Sequence, residues 1–252
     1  MFTHAILRTP GPDFAEGITT AHLGKPDLEL ILAQHRTYAD ALRRLGLQVE
    51  VLESLPGFPD AYFVEDTAVV TPGLAVVSRP GAPARRGEED AMETPLRRHR
   101  PIARIQDPGT LDGGDVLIAG RDLFVGLSDR TNAAGADQLG VLLAPQGFRL
   151  HKVPVGEGLH LKSSVNLVAD GVLLLTASLA GQEAFQSYRR LVVDDEDAYA
   201  TNTLLINGVL LTPAGYPRVR RLLEGLGKPI LELDCSEMRK MDGGLTCLSL
   251  RF

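Results

Sequence analysis

At 252 residues the chain is long enough to bury a sizeable core, and an apolar fraction of 44% excludes wholesale disorder. Its 26 basic and 32 acidic side chains leave a net charge of −6, which argues against nucleic acid or anionic lipid as a partner. Two cysteines, Cys235 and Cys247, are too few for a disulfide framework and fit a reducing, cytoplasmic setting. Neither a signal-like apolar N-terminus nor a run of 18 apolar residues occurs, so neither export nor membrane insertion is expected.

In chain order, Ala5 to Arg8 reads as a strand, Leu28 to Leu45 as an amphipathic helix with apolar residues at spacings of three and four, and Val49 to Leu52 as a second strand. An apolar strand, a turn and a second strand then recur four times. These are Thr67 to Ser78 around Pro72-Gly73, Val116 to Leu127 around Gly120, Val165 to Ala177 around Asp170-Gly171, and Thr203 to Thr212 around Asn207-Gly208. Asn-Gly and Asp-Gly between such runs are hairpin signals, because both turn residues must tolerate positive φ. Helical patterns follow at Arg86 to Arg98, Thr131 to Leu143 and Tyr216 to Leu226, leading to strands at Ile102 to Ile105, Phe148 to Val155 and Pro229 to Leu233. Behind the third hairpin the helical pattern, Gln182 to Leu191, is shorter, with a strand near Leu191 to Val193. Leu245 to Leu250 reads as a last strand.

The chain therefore reads as an α/β protein of five strand-strand-helix-strand modules, the last split between the termini, in one catalytic domain over residues 1–252. An ordinary three-layer sheet is the alternative. Against it, polar residues recur at one place in the modules: Asp66, Asp115, Asn166, Asn202 and Thr246-Cys247. In a pseudosymmetric ring these positions point at one axis and would make one central pocket.

A lone cysteine in an apolar run reads first as a small buried hydrophobe. Cys247, however, follows the acidic, glycine-rich turn Met241-Asp242-Gly243-Gly244, which lets a ligand approach. A cysteine nucleophile needs a histidine, and the histidine a carboxylate to orient it. Leu111-Asp112-Gly113-Gly114-Asp115 and Gly156-Glu157-Gly158-Leu159-His160 can supply both. Asp115 reads equally as a turn cap. His4, His22, His35, His99, His151 and Cys235 lie outside these motifs.

Four segments in this order, Phe63-Val64-Glu65-Asp66, Leu111 to Asp115, His160-Leu161-Lys162-Ser163-Ser164 and Gly243-Gly244-Leu245-Thr246-Cys247, resemble the guanidino-group-modifying superfamily. Within it the chain is most similar to the dimethylarginine dimethylaminohydrolase family. The resemblance implies a pentein fold, a five-module α/β propeller with a central active site. It also implies hydrolysis of N-methylated arginine to citrulline and dimethylamine or methylamine through a covalent thiouronium. In that scheme Cys247 is the nucleophile, His160 the general acid and base, and Asp112 the carboxylate that orients it. Asp66, with Asp60 and Glu65, would hold the guanidinium, and Phe63 would stack on it. Arg85 and Arg130 would clamp the α-carboxylate, with Arg86 the alternative to Arg85. Ile18 resembles the tip of a lid loop, and Met241 would offer its backbone carbonyl. The resemblance implies a small guanidino substrate, no cofactor, no metal and a homodimer. Hydrolysis of arginine or another small guanidino compound, and amidino transfer, remain as alternatives. So does a zinc hydrolase built on Cys247, His160 and a carboxylate, although no His-Glu-x-x-His or Cys-x-x-Cys spacing supports it.

Overall fold

A computed structural model describes residues 1–156 and 160–252, so Glu157, Gly158 and Leu159 of the run before His160 lie outside the described residues. From the N-terminus, β1 (His4–Arg8) leads to α1 (Leu28–Arg44) and β2 (Gln48–Leu52). The second module holds β3 (Ala68–Val70), β4 (Ala75–Val77), α2 (Asp90–Arg97) and β5 (Ile102–Arg104). The third holds β6 (Val116–Ala119), β7 (Asp122–Leu127), α3 (Ala133–Leu143) and β8 (Arg149–Pro154). The fourth is β9 (Val165–Ala169), β10 (Val172–Thr176) and β11 (Arg189–Val193). The fifth holds β12 (Leu204–Ile206), β13 (Val209–Pro213), α4 (Pro217–Glu224) and β14 (Ile230–Leu233). After α5 (Ser236–Arg239), β15 (Leu250–Arg251) returns to the first module.

The strands form five three-stranded sheets of one plan. In each, the middle strand pairs antiparallel with the strand that enters the module and parallel with the strand that leaves it. The terminal sheet obeys the same plan with β15, β1 and β2, which closes the ring with the two ends of the chain. Local chemistry fixes the joints. Asn207 and Gly208 take φ of 47° and 91° between β12 and β13, the conformation a two-residue hairpin demands. Asp27 and Asn132 accept the Leu30 and Gly135 amides at 2.8 Å and so cap α1 and α3.

Burial explains why the modules stay together. Hydrophobic clusters straddle the joints between successive sheets: Leu117 and Phe124 meet Val165 and Leu173, while Val172 and Leu174 meet Leu210 and Val219. Ile6 and Leu250 of the terminal sheet meet Val64 and Ala68 of the next. A three-stranded sheet cannot bury its apolar face alone, so each module is stable only against its neighbours. No helix among the described residues is long and apolar enough to cross a membrane.

Two expectations are corrected. The segment after β10 forms short 3-10 turns at Ala177–Leu179 and Glu183–Phe185 rather than a helix, and Phe185 fills the space a helix face would occupy. The expected strand Leu245 to Leu250 shrinks to Leu250–Arg251, and Cys247 sits in a turn. Leu245 and Leu248 point together into one apolar cluster, a spacing of three that a strand cannot satisfy.

Candidate active site

One pocket gathers Ile18, Asp60, Phe63, Asp66, Arg85, Arg130, His160, Met241, Asp242, Gly243 and Cys247. Of the expected residues only Asp112 and Glu65 fall outside its lining. Asp112, fully buried, lies behind the pocket: its Oδ2 is 3.2 Å from His160 Nε2, and its Oδ1 accepts the Gly81 amide at 3.0 Å. His160 is thereby held by Nε2, leaving Nδ1, 3.7 Å from Asp66 Oδ1, as the nitrogen free to exchange a proton. Gly114 is packed beneath this pair, where a Cβ would come within 2.6 Å of both Asp66 Oδ1 and His160 Nδ1.

The nucleophile position is braced from three sides. Thr246, the residue before Cys247, donates its amide to Asn202 Oδ1 at 2.8 Å and its hydroxyl accepts Asn202 Nδ2 at 3.1 Å. Arg251 donates to the carbonyls of Thr246 and Ser249 at 3.0 and 2.8 Å, gripping the turn on both sides of the sulfur. The Gly244 amide lies 3.4 Å from Cys247 Sγ. Gly243 must be glycine because a Cβ there would stand 2.1 Å from the Phe63 ring.

Charge sets the resting protonation. Burial pulls His160 down, but Asp66, the bond to Asp112 and Asp115 outweigh it and hold the imidazole up at about 9. Burial would raise Asp66, yet His160 and Arg85 outweigh it and keep this carboxyl low. Desolvation, followed by the Glu65 and Asp66 carboxylates, pushes the Cys247 thiol up to about 12. The pocket therefore combines a thiol, an imidazolium and the ionised carboxylate of Asp66.

The raised imidazole carries a prediction for stability. A His160 folded near 9 against 6.5 unfolded contributes about 3 kcal/mol, fully present below pH 6.5 and lost as pH rises through about 9. Urea unfolding of wild type and His160→Asn across pH 6 to 10 should show the wild-type advantage vanish over that window. Parallel curves would sink the assignment.

Arg85 departs from its expected part. Its guanidinium is buried and bonded to Asp66 at 2.6 Å, to Glu88 at 2.7 Å, and to the Asp60 and Phe63 carbonyls at 3.3 and 3.4 Å. Arg130 has no side-chain hydrogen bond or ion pair among the described residues, so it is the guanidinium at hand for a ligand carboxylate. Arg86 reaches the Pro80 carbonyl and is not in the lining. Asp60 accepts the Ile18 amide at 3.0 Å, which ties the loop bearing Ile18 to the pocket.

Glu65 is also placed differently from expectation. Its carboxylate pairs with Lys162 at 2.7 Å and Arg251 at 2.9 Å and lines a separate cavity of about 300 Å³. Nor do all the recurrent polar residues meet in one pocket. Asp115 accepts Ser128 Oγ at 2.6 Å and the Leu161 amide at 2.9 Å, which fixes the segment after His160. Asn166 ties the Lys162 and Thr201 carbonyls at 2.7 and 2.8 Å. Three of the five are braces, and only Asp66 and Cys247 line the site. Glu88, Asp242 and Arg251 are not singled out by the sequence: the partners of Asp242 and Arg251 are remote in the chain, and Glu88 pairs with an arginine three residues away that the sequence assigns to the ligand.

Asp66, Asp112 and His160 place ligand atoms within 4.8 Å of one another, the one group among the described residues that could hold a metal ion. Cys247 is not part of it. Arg85 already bonds Asp66 and the Gly81 amide already bonds Asp112, so a dication would displace existing partners.

No protein-family model matches the chain. It is 39% identical over 254 residues to the N(G),N(G)-dimethylarginine dimethylaminohydrolase of Pseudomonas aeruginosa, covering 100% of both chains. It is 37% identical over 249 residues to the enzyme of the same name from Streptomyces coelicolor, covering 98% of this chain and 96% of that one. The solved structure of a Cys-to-Ser variant of the Pseudomonas aeruginosa enzyme, in complex with citrulline, matches at a TM-score of 0.98 with 38% identity over the whole of both chains. With full-length identity of this order and the same five-module ring, the chain belongs to the dimethylarginine dimethylaminohydrolase family.

Proposed function

We propose that this chain hydrolyses N-methylated arginine to citrulline, releasing dimethylamine or methylamine. The observation that carries the reading is the convergence of Cys247, a carboxylate-held His160 and Asp66 on one pocket. Asp66 supplies a carboxylate that stays ionised, and Phe63 a flat apolar wall, for a planar cation. The bound guanidinium offsets the two carboxylates that hold the thiol up, so substrate binding itself favours loss of the thiol proton.

The thiolate attacks the guanidinium carbon, forming the S–C bond of a tetrahedral adduct. Imidazolium His160 donates a proton to the substituted nitrogen, the C–N bond breaks, and the amine departs, leaving a thiouronium on Cys247. Neutral His160 then takes a proton from water as its oxygen adds to the same carbon, and collapse breaks the C–S bond to leave the ureido group. Asp112 keeps Nε2 occupied throughout, so that Nδ1 handles both transfers. Residues 1–252 act as one catalytic domain. A reducing cytoplasm suits the two free thiols.

Incubation with methylated arginine, arginine and agmatine, with amine and ureido product followed separately, tests the reading. Methylated arginine should be the best substrate and agmatine, which has no carboxylate for Arg130, a poor one. Arg130→Ala should raise KM for methylarginine by about 10- to 100-fold, the loss of one charged hydrogen bond, with little change in kcat. Equal use of agmatine and methylarginine by the wild type would remove the amino-acid clamp.

The Asp66, Asp112 and His160 cluster keeps a metal-dependent reading open to test. A chelator should leave the rate unchanged, because each member already has a protein partner. Inactivation by chelator, reversed by zinc, would put metal-assisted hydrolysis first.

A further inference from the structure

We propose that Asp242 latches the loop 17–20 shut over the site and is a positioning residue for the reaction; the proposal rests on the function assigned above. The pocket has a free volume of about 20 Å³, space for a single water. Neither a methylarginine nor a departing dimethylamine fits such a space, so a wall must move in each turnover.

Among the described residues that line the pocket, Ile18 belongs to the loop 17–20, which has no regular structure and whose Thr19 and Thr20 are exposed. The loop is fastened at two points. On the inside, the Ile18 amide donates to Asp60 Oδ2 at 3.0 Å. On the outside, Asp242 Oδ2 accepts the Thr19 and Thr20 hydroxyls at 3.2 and 3.0 Å and the Thr20 amide. Thr19 Oγ1 also lies 3.0 Å from the Lys240 carbonyl. Asp242 has φ of 57°, the left-handed region that few residues with a side chain adopt, in the turn that leads to Cys247. Among the described residues its carboxylate joins no salt bridge, and its only hydrogen-bond donors belong to the loop.

Asp242 and Gly243 also border a second cavity, of about 290 Å³, with Thr20, Ala21, Tyr199 and Asn202 in its wall. The tie between Asp242 and the two threonines is thus a partition between this space and the 20 Å³ pocket. Parting the three bonds joins the two and opens a way for substrate in and amine out. Remaking them seals the site while the turn that carries Met241 and Cys247 stays in place.

Two substitutions separate the side chain from the backbone. Asp242→Gly keeps the left-handed turn and removes the acceptor, whereas Asp242→Asn keeps an acceptor oxygen and tolerates the same φ. Amide hydrogen exchange over residues 17–23 of the ligand-free protein should be about tenfold faster in Asp242→Gly and near wild type in Asp242→Asn, a change of ~1.4 kcal/mol in opening. KM for methylarginine should rise about tenfold in the glycine variant with kcat less affected, and the asparagine variant should restore it. Exchange in β7 reports whether the glycine variant keeps its core. If it does not, the Thr19→Val, Thr20→Val pair removes both hydroxyl ties without touching the turn, keeps the Thr20 amide tie, and should give a smaller acceleration in the same direction over the loop. Exchange over residues 17–23 that is unchanged in Asp242→Gly, or in the valine pair where the glycine variant loses its core, overturns the latch. Should the wild type turn over no guanidino compound, the functional reading fails while the exchange comparison still decides the latch.

Discussion

Cys247→Ser is expected to lower turnover by ~10⁴-fold or more while leaving the fold intact, on the assignment of Cys247 as nucleophile. A hydroxyl in this pocket has the same two carboxylates beside it and a far higher intrinsic pKa, so it stays protonated even with a guanidinium bound. Little holds the sulfur in place structurally. Its neighbours are the Gly244 amide at 3.4 Å and the Thr246 hydroxyl at 3.7 Å, both of which an oxygen can replace. Cys235→Ser is the control. Cys235 is buried against the Leu233 carbonyl at 3.4 Å, burial pushes it up to about 12, and it lies outside the pocket lining, so its loss should leave kcat within a few-fold of wild type. Steady-state kinetics with circular dichroism on both variants decides the matter. A near wild-type rate for Cys247→Ser, with activity lost in Cys235→Ser, would falsify the assignment.

What the sequence made legible was what local chemistry controls. The turns Asp170-Gly171 and Asn207-Gly208 announced two hairpins, and the repeated plan around them announced the ring. The fourth module has no helix where Gln182 to Leu191 suggests a short one: the chain takes two short 3-10 segments around Gly181, and β11 begins at Arg189, inside the expected helix. The site was legible by residue type but not by direction. Glu65 and Asp66 are neighbours on the 3-10 turn Val64–Thr67, where successive side chains diverge by about 120°. One lines the guanidinium pocket, and the other is paired with Lys162 and Arg251 beside it. Nothing local distinguishes them, since Arg251 lies 186 positions away in the chain. Asp112 and Asp115 show the converse. Three residues apart at a 3-10 turn, they share a side, and both end up holding the His160 segment.

The same blindness to direction explains Arg85, and a second large effect follows from it. Arg85→Ala is expected to destabilise the fold by about 3–5 kcal/mol, because it leaves Glu88 in the interior without its cation and Asp66 with His160 as its remaining one. Both partners are almost fully buried, and burial, against the pull of Arg85, already pushes Glu88 up to about 7. Without the guanidinium Glu88 would protonate, and Asp66, still pressed by His160, would lose the bond that aims its Oδ2. Arg85→Lys should recover part of the stability, since an ammonium can meet one carboxylate but cannot fork between two and also reach the Asp60 and Phe63 carbonyls. Arg130→Ala should show the opposite pattern: stability within about 0.5 kcal/mol of wild type, and a raised KM. Urea unfolding and KM measured on the three variants therefore separate an arginine that builds the pocket from one that greets the ligand. If Arg85→Ala unfolds like wild type and loses only KM, as Arg130→Ala does, then the two arginines form a clamp together and the buried ion pairs of Arg85 matter far less than their geometry implies.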